Sequence, residues 1–231
     1  KLRYIMKFQD KGFLLSLNKY NENSAIADFF TENNGKMSGV IFGASSKKIK
    51  NYLLIGNKFH LNFNLKQDAK IGYFKIEIDE VNTPLYLDSK RKLYCLIYTM
   101  NLVKILTVEN QENKNIFQLL VNFFINLKNE NWLINFIFWE LNFYKCIGYD
   151  IDFKNYVKNV EVNGDIKYIV ESTNKVIPNF LINNKINTID NKDIINGFKI
   201  VGEFLDKSIL KPNNISFPLA RIELGNLIKQ I

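Results

Sequence analysis

Histidine occurs once in the 231 residues, at His60, and cysteine only at Cys95 and Cys146. These scarcities exclude much chemistry. No CxxC pair exists, and two thiols with one imidazole cannot close a tetrahedral zinc site without carboxylate help. A cysteine-built metal centre is therefore excluded, no cofactor is expected, and the sparing use of cysteine points to a reducing, cytoplasmic setting. No Ser–His–acid or Cys–His arrangement can be argued from a single imidazole flanked by Phe59 and Leu61, so His60 reads as a surface histidine and the chain as a non-enzyme. Long apolar runs are also missing. The most apolar stretch, Trp132 to Phe143, is interrupted by Asn135, Glu140 and Asn142, which is too short and too polar for a membrane span. No signal-peptide pattern is visible, because "QDKG" follows Lys1 to Phe8 where an apolar core would stand.

What the chain has in quantity is apolar residues, at 47%, and lysine. Arginine appears only at Arg3, Arg91 and Arg221, yet the net charge is +8. Lysine richness spread evenly would say little. The charge is concentrated instead. Residues 36–75 hold Lys36, Lys47, Lys48, Lys50, Lys58, Lys66, Lys70 and Lys75 against Asp68 alone, so this stretch carries +7 of the +8. Such a segment favours a basic binding face, for which nucleic acid or an anionic membrane is the candidate partner.

The first eighty residues read as short strands. "GFLLSLNKY" (12–20), "SAIADFFTE" (24–32) and "KMSGVIFGA" (36–44) are separated by "NEN" and "NNG", and Asn34-Gly35 is a strong hairpin signal. "NKFHLNFNL" (57–65) alternates at period two, and "IGYFKIEID" (71–79) does so with a shift of face at Phe74. Five short strands suggest a small closed barrel of the OB type. After Pro84 the period becomes helical: 86–108, 113–129, 131–148, 191–210 and 218–231 read as helices, with Asp88-Ser89 a cap for the first and Gly148 closing the third. Residues 149–180 are irregular, with a hairpin expected over 166–177. The expected organisation is an all-β plus all-α two-domain chain: a five-stranded OB-fold over 6–82, then a helical domain over 83–231.

Other features have plain structural explanations. "GASSKK" (43–48) lacks the GxxxxGK[ST] spacing of a triphosphate loop. Glu77, Asp79 and Glu80 read as a solvated strand end. Trp132 and Trp139, seven residues apart on one helix, have core spacing.

In order and spacing, several short motifs resemble the RecO family of bacterial recombination mediators. They are Phe8-Gln9-Asp10-Lys11-Gly12, Glu22-Asn23-Ser24, Phe30-Thr31 with Gly35, Gly43-Ala44-Ser45-Ser46-Lys47-Lys48, Gly56, and Ile71-Gly72-Tyr73-Phe74-Lys75-Ile76-Glu77. The pattern begins near Met6, so residues 1–5 read as an upstream extension outside the fold. "IGYDIDF" (147–153) and "FPLARIELGNLI" (217–228) are similar to later family segments. Where many relatives carry zinc cysteines, this chain has Tyr156, so the family's metal site looks lost.

The resemblance implies a DNA repair and recombination mediator that binds single- and double-stranded DNA and anneals strands without nucleotide hydrolysis. Its implied partners are RecR, sometimes RecF, and the acidic tail of single-stranded DNA-binding protein, with RecA loaded as the outcome; no membrane is implied. On this reading Lys36, Lys47, Lys48, Lys50 and Lys58 contact phosphates. Tyr52 offers a stacking face or packs in the barrel. Lys128, Lys145 and Arg221 could rim a greasy groove for the partner tail, although helix capping and an ion pair compete for them. Two other classes stay open, an RNA-binding OB protein and a non-catalytic interaction scaffold.

Overall fold

The computed structural model describes residues 4–162, 165–170, 174–183 and 189–230. Two compact units emerge, one of residues 1–124 with 218–221, the other of residues 125–217 with 222–231.

The first unit is built on a closed barrel of β1 (Tyr4–Lys19), β2 (Ser24–Thr31), β3 (Gly35–Phe42), β4 (Lys58–Lys66) and β5 (Gly72–Glu80), joined in the order β1-β2-β3-β5-β4. This is the five-stranded OB-like arrangement expected from the sequence. β1 is long enough to serve two neighbours. Its first part pairs with β4 and its second with β2, and a bulge between Leu14 and Ser16 turns the strand between them. The strand starts earlier than the motif pattern suggested. Tyr4 already pairs with Lys66, so positions 4 and 5 belong to the barrel backbone, while residues 1–3 lie outside the described residues.

A short parallel pairing of β3 with β5, Gly39 opposite Gly72 to Ile41 opposite Phe74, closes the barrel. Glycine is needed there for space. A Cβ on Gly72 would stand 2.2 Å from the Phe63 ring, and one on Gly39 2.6 Å from the Phe74 ring. The rings so admitted fill the interior: Phe29 meets Phe59 and Phe74 edge-on at 5.7 and 5.0 Å, and Phe63 lies 5.1 Å from Phe74. Alternation brought these side chains inward, as period two requires.

The β2–β3 turn is held from outside the hairpin. The buried Asp10 carboxylate accepts from the Asn33 backbone N–H, from both the Asn33 and Asn34 side-chain amides, and from the Lys11 N–H. Gly35, at φ +65°, turns the chain where a Cβ would lie 1.9 Å from the Gln111 carbonyl oxygen.

A single-turn α1 (Lys47–Lys50) lies between β3 and β4, and against the barrel pack α2 (Lys90–Leu106) and α3 (Lys114–Asn126), the latter contributing residues up to Phe124. Ser89 stands at the N-cap of α2, but its side chain makes no capping hydrogen bond. Outward-facing Asp28 of β2 accepts from Ser16 and Ser38 and pairs with Lys104 of α2 at 2.9 Å. Burial alone would raise this carboxyl, yet those donors outweigh it and hold Asp28 below its ordinary value.

The second unit contains α4 (Trp132–Cys146), a three-stranded sheet of β6 (Val157–Val162), β7 (Asp165–Val170) and β8 (Val176–Ile177), then α5 (Asn179–Asn183) and α6 (Asn191–Phe204), which runs on as a π-turn over 205–210. The expected 166–177 hairpin is the β7–β8 pair. Its tip, residues 171–173, lies outside the described residues, and β6 adds a strand the sequence reading did not foresee. α4 supplies an aromatic ladder. Phe136, Trp139 and Phe143 stack at 6.0 and 5.3 Å, and Glu140 is buried but accepts from the Tyr144 hydroxyl at 2.9 Å. Trp139 is core, whereas Trp132 is half-buried. Helix α7 (Leu219–Ile228) is divided, with Arg221 in the first unit and Ile222 onward in the second.

Candidate nucleic-acid interface

The lysine-rich link between β3 and β4 folds as a plug. Gly43, at φ +73°, begins it with a turn in which the Ser46 N–H donates to the Gly43 carbonyl at 3.0 Å. A single helical turn follows, α1 (Lys47–Lys50), and the Leu53 N–H reaches the Ile49 carbonyl at 3.1 Å. Ile49, Tyr52 and Leu53 share the face turned to the barrel core, as spacings of three and four require. The opposite face carries Lys47, Lys48 and Lys50, all exposed, with no acidic residue in the first turn. The stretch that could be read as an open loop is thus a barrel cap wearing three amines.

Asn23 ties this cap to the β1–β2 loop. Its carbonyl accepts from the Gly43 and Ala44 N–H groups at 2.7 and 3.1 Å, and its side-chain oxygen accepts from Ser45 Oγ at 2.8 Å. The loop and the α1 lysines are consequently held together at one end of the barrel. Tyr20 of that loop and Phe42 at the end of β3 are 58% and 61% exposed, and Phe42 lies 5.7 Å from the Tyr73 ring of β5. None of these three aromatics was a candidate contact residue from the sequence. The strand period sends Phe42 outward beside inward Ile41, and the pairing of β3 with β5 shows what stands next to it.

The remaining lysines of the segment divide. Lys70 and Lys75 are exposed and Lys66 is half-buried. Two serve the framework. Lys36 Nζ donates to the carbonyls of Lys104 and Thr107 at 2.9 and 2.6 Å, fastening the C-terminal end of α2 to β3, where unpaired carbonyls favour a cation. Lys58 is buried. Its amine stands 2.8 Å from Glu80 Oε1 and 3.4 Å from Asp79 Oδ2, 5.7 and 6.0 Å from the Phe13 and Phe117 rings. Neither amine faces solvent as a phosphate contact must. Of the carboxylates at this strand end Glu77 and Glu80 are exposed, as a solvated end would be, but Asp79 is the hub of that network, because it also meets His60 Nε2 at 3.0 Å and Lys11 at 3.6 Å. Tyr52 is half-buried, its ring 6.1 Å from Phe59 among the core side chains, so it packs the barrel.

The three cations assigned to a partner groove fare differently. In the second unit a cleft of about 610 Å³ is lined by Phe138, Leu141, Phe153, Leu181 and Ile182, with Lys145 and Lys154 and with Asp150 and Asp152. Lys145 pairs with Asp150 at 3.0 Å. Lys128 is exposed but does not line this cleft. Arg221 is buried, its guanidinium 5.7 Å over the Tyr98 ring, where it cannot serve as a solvent-facing rim. Among the described residues there is no group of three or more His, Cys, Asp or Glu side chains able to hold a metal ion. Burial pushes the Cys146 thiol up, with only partial relief from Lys145. Among the described residues no helix is long and apolar enough to cross a membrane.

Comparison with known proteins agrees with this architecture. Residues 6–78 match the family described as Recombination protein O N terminal, and residues 88–214 match Recombination protein O C terminal. The DNA repair protein RecO of Rickettsia canadensis is 31% identical over 173 residues, covering 74% of this chain and 70% of that protein. The RecO of Bartonella henselae is 23% identical over 247 residues, covering 97% and 93%. With both halves of the family matched over most of its length, the chain belongs to the RecO family.

Proposed function

We propose that the protein is a recombination mediator in DNA repair. It binds single- and double-stranded DNA, anneals complementary strands and, with RecR and single-stranded DNA-binding protein, in some settings with RecF, helps to load RecA. The relatives' name, DNA repair protein RecO, supports the setting. The observation that carries DNA binding is the exposed triad Lys47, Lys48 and Lys50, fixed on a barrel cap by Ile49 and Leu53. Amines acting as point charges on phosphates read no sequence and release counterions from either strand form. That is what annealing requires: repulsion between two strands is neutralised and no bond is made or broken, so the protein acts as a non-enzyme. The cleft beside Lys145 and Lys154 suits an apolar terminus of a partner tail; Lys154 can meet its acidic residues directly, while Lys145 meets them only by exchanging its pairing with Asp150. The work belongs in the cytoplasm, where the DNA is.

Annealing of two complementary fluorescent strands tests the reading. The wild-type protein accelerates pairing, and a Lys47→Ala, Lys48→Ala, Lys50→Ala variant loses most of that acceleration. No acceleration by wild type contradicts the reading. A preference for structured RNA over single-stranded DNA would turn it toward an RNA-binding role.

A further inference from the structure

We propose that Phe42 and Tyr73 form a base-stacking platform that takes unpaired nucleotides beside the α1 lysines. The inference deepens the proposed DNA binding and rests on that reading. It adds a preference for single strands and names the residues that create it.

Phe42 is placed outward by the barrel itself. Met37 and Ile41 of β3 point into the core, so the period of two sends Phe42 to the surface, where it keeps 61% exposure. Its backbone has little freedom. Phe42 sits opposite Ser24 in the β2–β3 ladder, and the next residue, Gly43, donates its N–H to Asn23 at 2.7 Å. The ring is therefore presented on a fixed strand end. Tyr73 lies on the neighbouring β5, with ring centroids 5.7 Å apart and planes inclined at 54°. The strand end is braced further by the β1–β2 loop, where the Tyr20 N–H donates at 3.0 Å to the carbonyl of Ser24, the residue opposite Phe42.

Charge flanks the rings on two sides. Lys47 follows Phe42 by five residues across the anchored turn. Lys75 lies two residues beyond Tyr73 on the same outward face of β5, about 7 Å along the strand, and is exposed. Aromatic faces between amines match a strand whose bases have left their partners, because each base has a π-face and each link a phosphate. A duplex hides its bases and can use only the amines. The preference for an unpaired strand thus follows from the rings, and affinity for any strand from the lysines.

Fluorescence anisotropy with an oligothymidylate and with an abasic deoxyribose-phosphate strand of equal length separates the two contributions. The wild type binds the base-bearing strand more tightly than the abasic one. Phe42→Leu, which keeps apolar bulk but removes the π-face, weakens oligothymidylate binding about tenfold and leaves abasic binding unchanged. Tyr73→Leu acts in the same direction, and unaltered thermal melting shows that both variants are folded. The Lys47→Ala, Lys48→Ala, Lys50→Ala variant, in contrast, loses affinity for both strands. Equal affinity of wild type for the two strands, or no effect of either leucine variant, overturns the platform while leaving the lysine reading intact. Absence of wild-type binding to both strands overturns the two together.

Discussion

Replacing Lys58 by methionine separates framework from interface. The side chain is 11% exposed and its amine bridges Glu80 and Asp79 above the Phe13 and Phe117 rings. Removing one partner of a fully buried pair costs about 3–5 kcal/mol. The cost here is smaller, because Glu80 is 51% exposed and turns to water, and Asp79 retains His60 and Lys11. Methionine keeps the apolar stem on the two rings and loses a cation–π contribution of about 0.5–1 kcal/mol. The expected loss is about 2 kcal/mol in urea unfolding at pH 7, with coupling to Asp79→Asn of about 1 kcal/mol in a double-mutant cycle. The pH dependence has a definite sign. Burial pushes the Asp79 carboxyl up, but Lys58, Lys11 and His60 outweigh it and hold it below its ordinary 3.8. A depressed carboxyl contributes stability above its unfolded pKa and loses it as pH falls through the folded one, so the gap between wild type and Lys58→Met is full at neutral pH and narrows only below about pH 4. Unchanged stability together with a loss of DNA affinity as large as that of an α1 lysine would refute the framework role and return Lys58 to the interface.

Gly35→Ala is expected to destabilise the protein by more than about 2 kcal/mol in the same unfolding assay, since its φ of +65° disfavours a side chain and the new Cβ meets the Gln111 carbonyl; a neutral effect would mean that the turn relaxes freely. Calorimetry with a synthetic peptide ending in acidic residues and an apolar terminus is expected to show binding at low salt that Lys145→Ala together with Lys154→Ala weakens, and no heat at all would reject the cleft as its receptor.

Much of the barrel was legible because inward and outward residues alternate: Phe59, Leu61 and Phe63 reveal β4 without any neighbour in view. The strand β6 was not, since in "VKNVEV" the apolar residues fall at 157, 160 and 162 and follow neither period; its place comes from backbone pairing with β7. Charge density was legible and its use was not. Eight lysines between residues 36 and 75 look alike in sequence, yet two are consumed by acceptors remote in the chain, the carbonyls at 104 and 107 for Lys36 and the β5 carboxylates for Lys58. The same holds for Arg221, whose aromatic contact lies on α2. Of the two readings open for Tyr52, packing holds for a local reason: spacing with Ile49 and Leu53 turns it inward on α1, while strand alternation turns Phe42 out.

The salt dependence of single-strand binding tests the central claim most directly. Each phosphate contact contributes about 0.7 to the slope of log affinity against log salt for a single strand. If Lys47, Lys48 and Lys50 each hold one phosphate, their joint replacement by alanine flattens the slope by about 2, and the wild-type advantage shrinks roughly twentyfold between 50 and 200 mM salt. A folded triple variant with wild-type affinity and an unchanged slope would contradict the assignment of DNA binding to the barrel cap.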